Sequence, residues 1–258
     1  MCTLSIFYKS NNLIITMNRD EYRNRSEVNT IKHTTSQSIQ TYYPVDKLSG
    51  GTWFGYNNQG SVLAILNRYH EANVKNPTSR GIIIPQLLKQ PSFTKAYENL
   101  KELLLNNTFN PFDLIYADIF ETHKLSWNGE KLIKIQLCHN NAFMLTSSSI
   151  NKDDVLTKRY QYFKKFNENH LNPHKCQFNI LNKLHLQQDT DDKSSSILMS
   201  RSETHSKSIC QLILSKNKLE YYYFNEQDLI HLENTSQSRN SQSDMYLQCQ
   251  HNELNIIL

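Results

Sequence analysis

Met1-Cys2 opens the chain with a thiol one place behind the initiator. Aminopeptidases remove an initiator methionine when the next side chain is small, which would leave Cys2 bearing a free α-amine. A thiol has a reference pKa of about 8.5 and an α-amine one of about 7.7–8.0, so one residue can hold both a nucleophile and its base. The neighbouring sequence says what faces it. Residues 3–8 and 13–18 are rich in β-formers, and Lys9-Ser10-Asn11-Asn12 supplies a turn, so a hairpin is expected. A turn centred on Ser10-Asn11 pairs Tyr8 with Leu13, Leu4 with Met17 and Cys2 with Arg19; a shift of one residue brings Glu21 opposite Cys2 instead. Directly opposed residues share a face, with Cβ atoms about 4.5–5.5 Å apart. A guanidinium there favours the thiolate and can hold a substrate carbonyl or carboxylate.

Further candidates follow along the chain. Asn18-Arg19-Asp20-Glu21 is either a solvated strand end or, beside an N-terminal cysteine, an active-site cluster in which Asp20 accepts from the amine or orients Arg19. Asn67 closes an apolar strand, where an amide either donates to an oxyanion or turns the backbone. Trp53 lies among glycines and either lines a pocket or fills the core. The ten histidines show no metal-ligand spacing, because Pro173 interrupts His170 and His174, so no metal is expected. Ser147-Ser148-Ser149 and Ser194-Ser195-Ser196 lack a nucleophile-elbow context and read as loops.

The elements that must position these residues begin with that hairpin and a long polar loop over 21–49. Five of the six glycines (Gly50, Gly51, Gly55, Gly60 and Gly81) precede or enclose a second hairpin over 52–56 and 61–67. Its second strand is apolar on both faces and belongs in mid-sheet. Helical spacing covers 82–89, 93–105, 155–166 and 178–186; strands are expected at 112–119, 124–127, 131–137, 143–146, 197–200, 208–214 and 219–224. Asn128-Gly129 is expected as a two-residue turn. After residue 233 the composition becomes a Ser/Gln/Asn-rich tail with 245–247 docking again, leaving residues 1–233 as one domain. This order predicts an α+β fold of two mostly antiparallel sheets with helices outside.

Composition narrows the class. Apolar residues make up 38% and the charge is +4 without long single-sign blocks, which argues for a packed core and against a nucleic-acid footprint. No run approaches the roughly 18–20 apolar residues that span a bilayer, and no secretory signal opens the chain, so a cytoplasmic protein is expected. The five cysteines are odd in number and unpaired in spacing, which fits a reducing compartment.

The start Met1-Cys2-Thr3, the tetrad at 18–21, Gly50-Gly51-Thr52-Trp53-Phe54-Gly55, Leu66-Asn67-Arg68-Tyr69 and Ser79-Arg80-Gly81 resemble, in order and spacing, the NRDE family, which includes the transport-and-Golgi-organisation-two proteins. Weaker echoes continue at 147–149, Arg159 and 196–208. The resemblance implies a four-layer αββα sandwich like that of the N-terminal-nucleophile hydrolases. It implies Cys2 as nucleophile beside Arg19 and Asp20, Asn67 as an oxyanion or substrate contact, and Asn18, Trp53 and Arg80 as substrate-binding residues. The expected reaction is cleavage of a carbon–nitrogen bond in a small molecule without a cofactor. The alternative implied by the family is a non-catalytic carrier of haem or another hydrophobic ligand. The sequence departs from the family at Ser26, where proline is frequent, and in its polar tail. It carries no signal for an oligomeric state.

Overall fold

A computed structural model of the chain describes residues 2–9, 11–138, 141–169, 176–235 and 249–256. Its first hairpin has the register that the turn predicts. Strands β1 (Cys2–Lys9) and β2 (Asn12–Tyr22) pair antiparallel with Cys2 opposite Arg19, Leu4 opposite Met17 and Tyr8 opposite Leu13. Asn11 adopts φ 63°, the left-handed conformation that asparagine tolerates in tight turns.

Two compact units follow from the contacts, residues 1–24 with 141–254, and residues 25–140 with 255–258. The second is built on a seven-stranded antiparallel meander. It runs β3 (Lys32–Ser36), β4 (Ile39–Tyr43), β5 (Phe54–Asn57), β6 (Val62–Asn67), β7 (Phe112–Ala117), β8 (Thr122–Trp127) and β9 (Leu132–Gln136). β6 takes the central place that its two apolar faces require, and Val62 to Leu66 are all buried. β3 and β4 correct the expected loop. β3 is a polar edge strand, while β4 alternates, burying Ile39, Thr41 and Tyr43. Between β8 and β9 the turn spans four residues, because Trp127 pairs with Leu132; Gly129 supplies φ 105° within it.

Helices α1 (Ile83–Leu87) and α2 (Phe93–Asn106) belong to this unit. Ser92 caps α2 by accepting the Lys95 N–H, and Phe93, Ala96 and Leu100 form its buried stripe. Ahead of α1, Gly51 and Gly81 meet backbone to backbone. A Cβ on Gly51 would lie 2.7 Å from the Gly81 Cα, so only glycine fits, and the Thr52 N–H donates to the Gly81 carbonyl.

The first unit adds β10 (Phe143–Ser147), α3 (Lys152–Asn169), α4 (Cys176–Asn179) running into a π-helical turn (Ile180–His185), β11 (Thr204–Leu214), β12 (Lys218–Phe224), α5 (Glu226–Thr235) and β13 (Gln250–Asn255). Its sheet has the order β10-β1-β2-β11-β12-β13. Phe7, Ile14 and Ile213 pack against Phe166, Cys176, Ile180 and Leu184 from α3, α4 and the π-helical turn. Residues 197–199 are not a strand. Their backbone serves the connection instead, with the Leu198 N–H donating to Gln187 and the Ile197 carbonyl accepting from Asn18. Residues 250–255, expected within the tail, form the edge strand. The docking expected at 245–247 lies outside the described residues. Among the described residues no helix is long and apolar enough to cross a membrane.

Candidate active site

Successive side chains of a strand point to opposite faces, and this divides the residues around Cys2 into two groups. One face of β1 and β2 carries Cys2, Leu4 and Ile6 opposite Arg19, Met17 and Ile15. It is apolar except at its end, where Cys2 and Arg19 (9% and 4% exposed) stand directly across from each other. Arg19 Nη2 lies 3.6 Å from Glu21 Oε2. The main-chain nitrogen of Cys2 donates to Ser147 Oγ at 3.2 Å, because Ser147 is its partner on β10. Burial pushes the Cys2 thiol up; the chain's amino terminus, Arg19 and the Asp20 N–H pull it down, while the Asp20 carboxylate adds to the rise.

The other face carries Thr3, Ser5, Thr16, Asn18 and Asp20, all essentially inaccessible to solvent. Buried polar groups need partners, and α3 and the π-helical turn supply them. Arg159, wholly buried on α3, donates from Nη1 to Thr3 Oγ1 at 2.8 Å and Thr146 Oγ1 at 3.0 Å, and from Nε to the Ser195 carbonyl. Its Nη2 lies 3.5 Å from Asp20 Oδ2, and Ser206 Oγ donates to Asp20 Oδ1 at 2.6 Å. Desolvation pulls the Arg159 guanidinium down and the Asp20 carboxylate opposes it.

Gln211 donates to Thr16 Oγ1, and His185 joins Asn18 and Ser5 on this face. Its Nδ1 contacts Asn18 Oδ1 and its Nε2 contacts Ser5 Oγ, both at 2.6 Å. Burial pulls its pKa down to about 3, so the ring is neutral. An amide oxygen cannot donate, so Nδ1 carries the proton and Nε2 accepts from the Ser5 hydroxyl. Asn18 donates both amide protons, to the carbonyls of His185 and Ile197. This amide, expected as a substrate contact, clamps the sheet to the π-helical turn and to the connection at Ile197.

Arg19 and Asp20, adjacent in sequence, therefore serve different faces. Three other candidates lie in the second unit. Asn67 ends β6 and donates from Nδ2 to Tyr69 Oη at 2.9 Å. Trp53 is buried just before β5, and its carbonyl accepts from the Ile65 N–H. Arg80, in a single 3-10 turn, donates from Nη1 to the Pro111 carbonyl at 2.7 Å. The Gly51–Gly81 contact docks the motif carrying Arg80 onto the one carrying Trp53.

Arg159 and Ser147 had no role from spacing or residue type. Arg159 carries two signals, the family echo at that position and a cation at a helical position between Val155 and Phe166, both buried. Ser147, expected in a loop and marked only by the family echo at 147–149, is instead the last residue of β10. None of the five cysteines is in a disulfide, and Cys138 is exposed. Among the described residues one group has metal-binding potential, Glu220, His251 and Glu253 at the β12–β13 edge. Lys218 Nζ already supplies a cation there, 3.1 Å from both carboxylates.

Comparison with known proteins agrees with this architecture. The family Transport and Golgi organisation 2 matches residues 1–246. No curated protein sequence matches. Among solved structures, the mutant C2A conjugated bile acid hydrolase from Clostridium perfringens is similar with a TM-score of 0.50 and 14% identity, over 99% of this chain and 92% of that one. The Caenorhabditis elegans N-acylethanolamine-hydrolyzing acid amidase ortholog gives a TM-score of 0.52 and 15% identity, over 82% and 92%. The fold is that of the N-terminal-nucleophile hydrolases.

Proposed function

The chain belongs to the Transport and Golgi organisation 2 family, and on that premise we propose that it hydrolyses a carbon–nitrogen (amide) bond of a small molecule with Cys2 as N-terminal nucleophile. The observation that carries this reading is the direct pairing of Cys2 with Arg19, with the Cys2 nitrogen on Ser147 Oγ. Removal of Met1 turns that nitrogen into an α-amine one carbon from the thiol's own Cβ. Burial disfavours a free thiolate, so the thiol passes its proton to the amine as sulfur bonds to the amide carbon. The carbon–nitrogen bond then breaks, the amine returns the proton to the leaving nitrogen, and water hydrolyses the thioester. Arg19 holds the substrate carbonyl or a carboxylate. Arg159, paired with Asp20, acts from behind as a positioning residue: it holds Thr3, next to Cys2 in β1, and Thr146, whose hydroxyl donates to the Cys2 carbonyl. Asn67, Trp53 and Arg80 enter as an oxyanion donor and substrate contacts on the family motifs alone. Two proteins of the same fold are named for hydrolysing conjugated bile acids and N-acylethanolamines, which supports an acyl amide as the substrate class.

Release of free amine from a panel of N-acyl amino acids and N-acylethanolamines tests this. Wild type turns over at least one substrate, Cys2→Ala turns over none, and Arg19→Leu lowers kcat/KM by about 100-fold. Turnover that survives in Cys2→Ala overturns the reading. So does haem that binds wild type and Cys2→Ala equally while no amide is cleaved.

A further inference from the structure

Where β11 begins, the first unit has a pocket of about 140 Å³, open to solvent on one side, that none of Cys2, Arg19 and Arg159 lines. Arg23, just beyond β2, forms one wall. Its guanidinium is pinned: Nε donates to the carbonyls of Arg201 and Ser202, and Nη2 to Ser200 Oγ at 3.0 Å and the Arg201 carbonyl at 2.8 Å. Every one of these acceptors is neutral.

Glu226, the carboxylate lining the cavity, is already engaged. Its Oε1 contacts His205 Nε2 at 2.6 Å and its Oε2 takes Lys207 Nζ at 2.7 Å. Burial pulls the His205 pKa down, which keeps the ring neutral at pH 7. Glu226 and Lys207 cancel, and the charge of Arg23 remains. The groups left with donor capacity are Arg23 Nη1, the Ser200 hydroxyl, whose oxygen already accepts from Arg23, and the second amide proton of Gln188, whose first goes to the Leu198 carbonyl. Leu198, Met199, Leu229 and Ile230 supply apolar wall, and Gln188 and Ser206 complete the lining.

A fixed cation and a hydroxyl beside aliphatic walls recognise an anionic head on a short alkyl tail. A cavity of this volume accommodates about six non-hydrogen atoms, the size of benzene or butyrate. We propose that this cavity is a second ligand site, for a short-chain aliphatic monocarboxylate. It is separate from the cysteine site, although Ser206 lines it while donating to Asp20.

Calorimetric titration of the full-length protein with butyrate, butylamine and butanol tests the site. Ile230 is 54% exposed at its rim, so charges placed there leave the fold intact. Butyrate binds saturably and more tightly than the amine or the alcohol. Ile230→Glu weakens it by about fivefold, Ile230→Lys does not weaken it, and Cys2→Ala leaves it unchanged. Leu229→Trp, which fills the cavity, abolishes it. Absence of saturable binding, equal binding of butylamine, or indifference to the sign of the charge at position 230 overturns the proposal. So does loss of butyrate binding in Cys2→Ala, which would place the ligand at the cysteine instead.

Discussion

The two faces of the β1–β2 hairpin lie one residue apart in sequence and differ in almost everything else. On one, Cys2 and Arg19 end an otherwise apolar surface; on the other, Thr3, Asn18 and Asp20 sit in a buried network closed by Arg159 and His185. The lesson is that a cluster such as Asn18-Arg19-Asp20 does not act as a cluster. Strand alternation sends Arg19 to the face that carries Cys2 and its two neighbours to the buried network. Stability should therefore be sensitive on the network face, and reactivity on the cysteine face.

The largest stability effect expected is at Arg159. Arg159→Leu leaves the Asp20 carboxylate buried without its cation, a loss of about 3–5 kcal/mol in urea unfolding. Adding Asp20→Asn should recover part of that loss; additive damage would mean the pair is not coupled.

His185 sharpens the comparison through pH. Its folded pKa, about 3, lies below the ordinary value near 6.5, so the folded state binds fewer protons than the unfolded one. This contribution is fully present above pH 6.5 and is lost as pH falls toward 3, by roughly 1.4 kcal/mol per pH unit. His185→Gln should remove that slope from the pH dependence of unfolding. An unchanged slope would assign it to other groups.

In the second unit, Gly51→Ala drives a methyl into the Gly81 backbone, so a loss of about 1–3 kcal/mol is expected by thermal unfolding. The smallest effect is on the cysteine face, where Cys2→Ala should cost at most about 1 kcal/mol while abolishing turnover. A larger loss would make Cys2 a packing residue and erase the contrast between the faces.

The part legible in the sequence is the part encoded locally. The asparagine-rich turn sets the β1–β2 register and with it the Cys2–Arg19 pair, and the apolar run Val62 to Leu66 sets a central strand. What was not legible depends on partners far along the chain. β3 is polar because it is an edge, so its pairing with β4 has no hydrophobic alternation of its own to reveal it. Residues 197–199 are apolar because they are buried, and burial alone does not specify a ladder. Arg159 reaches Thr3 across more than half the chain, and only the fold brings them together.

Intact-protein mass spectrometry after treatment with an electrophilic acyl probe tests the central claim most directly. The account predicts a mature chain that begins at Cys2 and carries one acyl group on that residue, with no adduct in Cys2→Ala. Retained Met1, or a label that maps to the exposed Cys138 while Cys2 stays free, would contradict it.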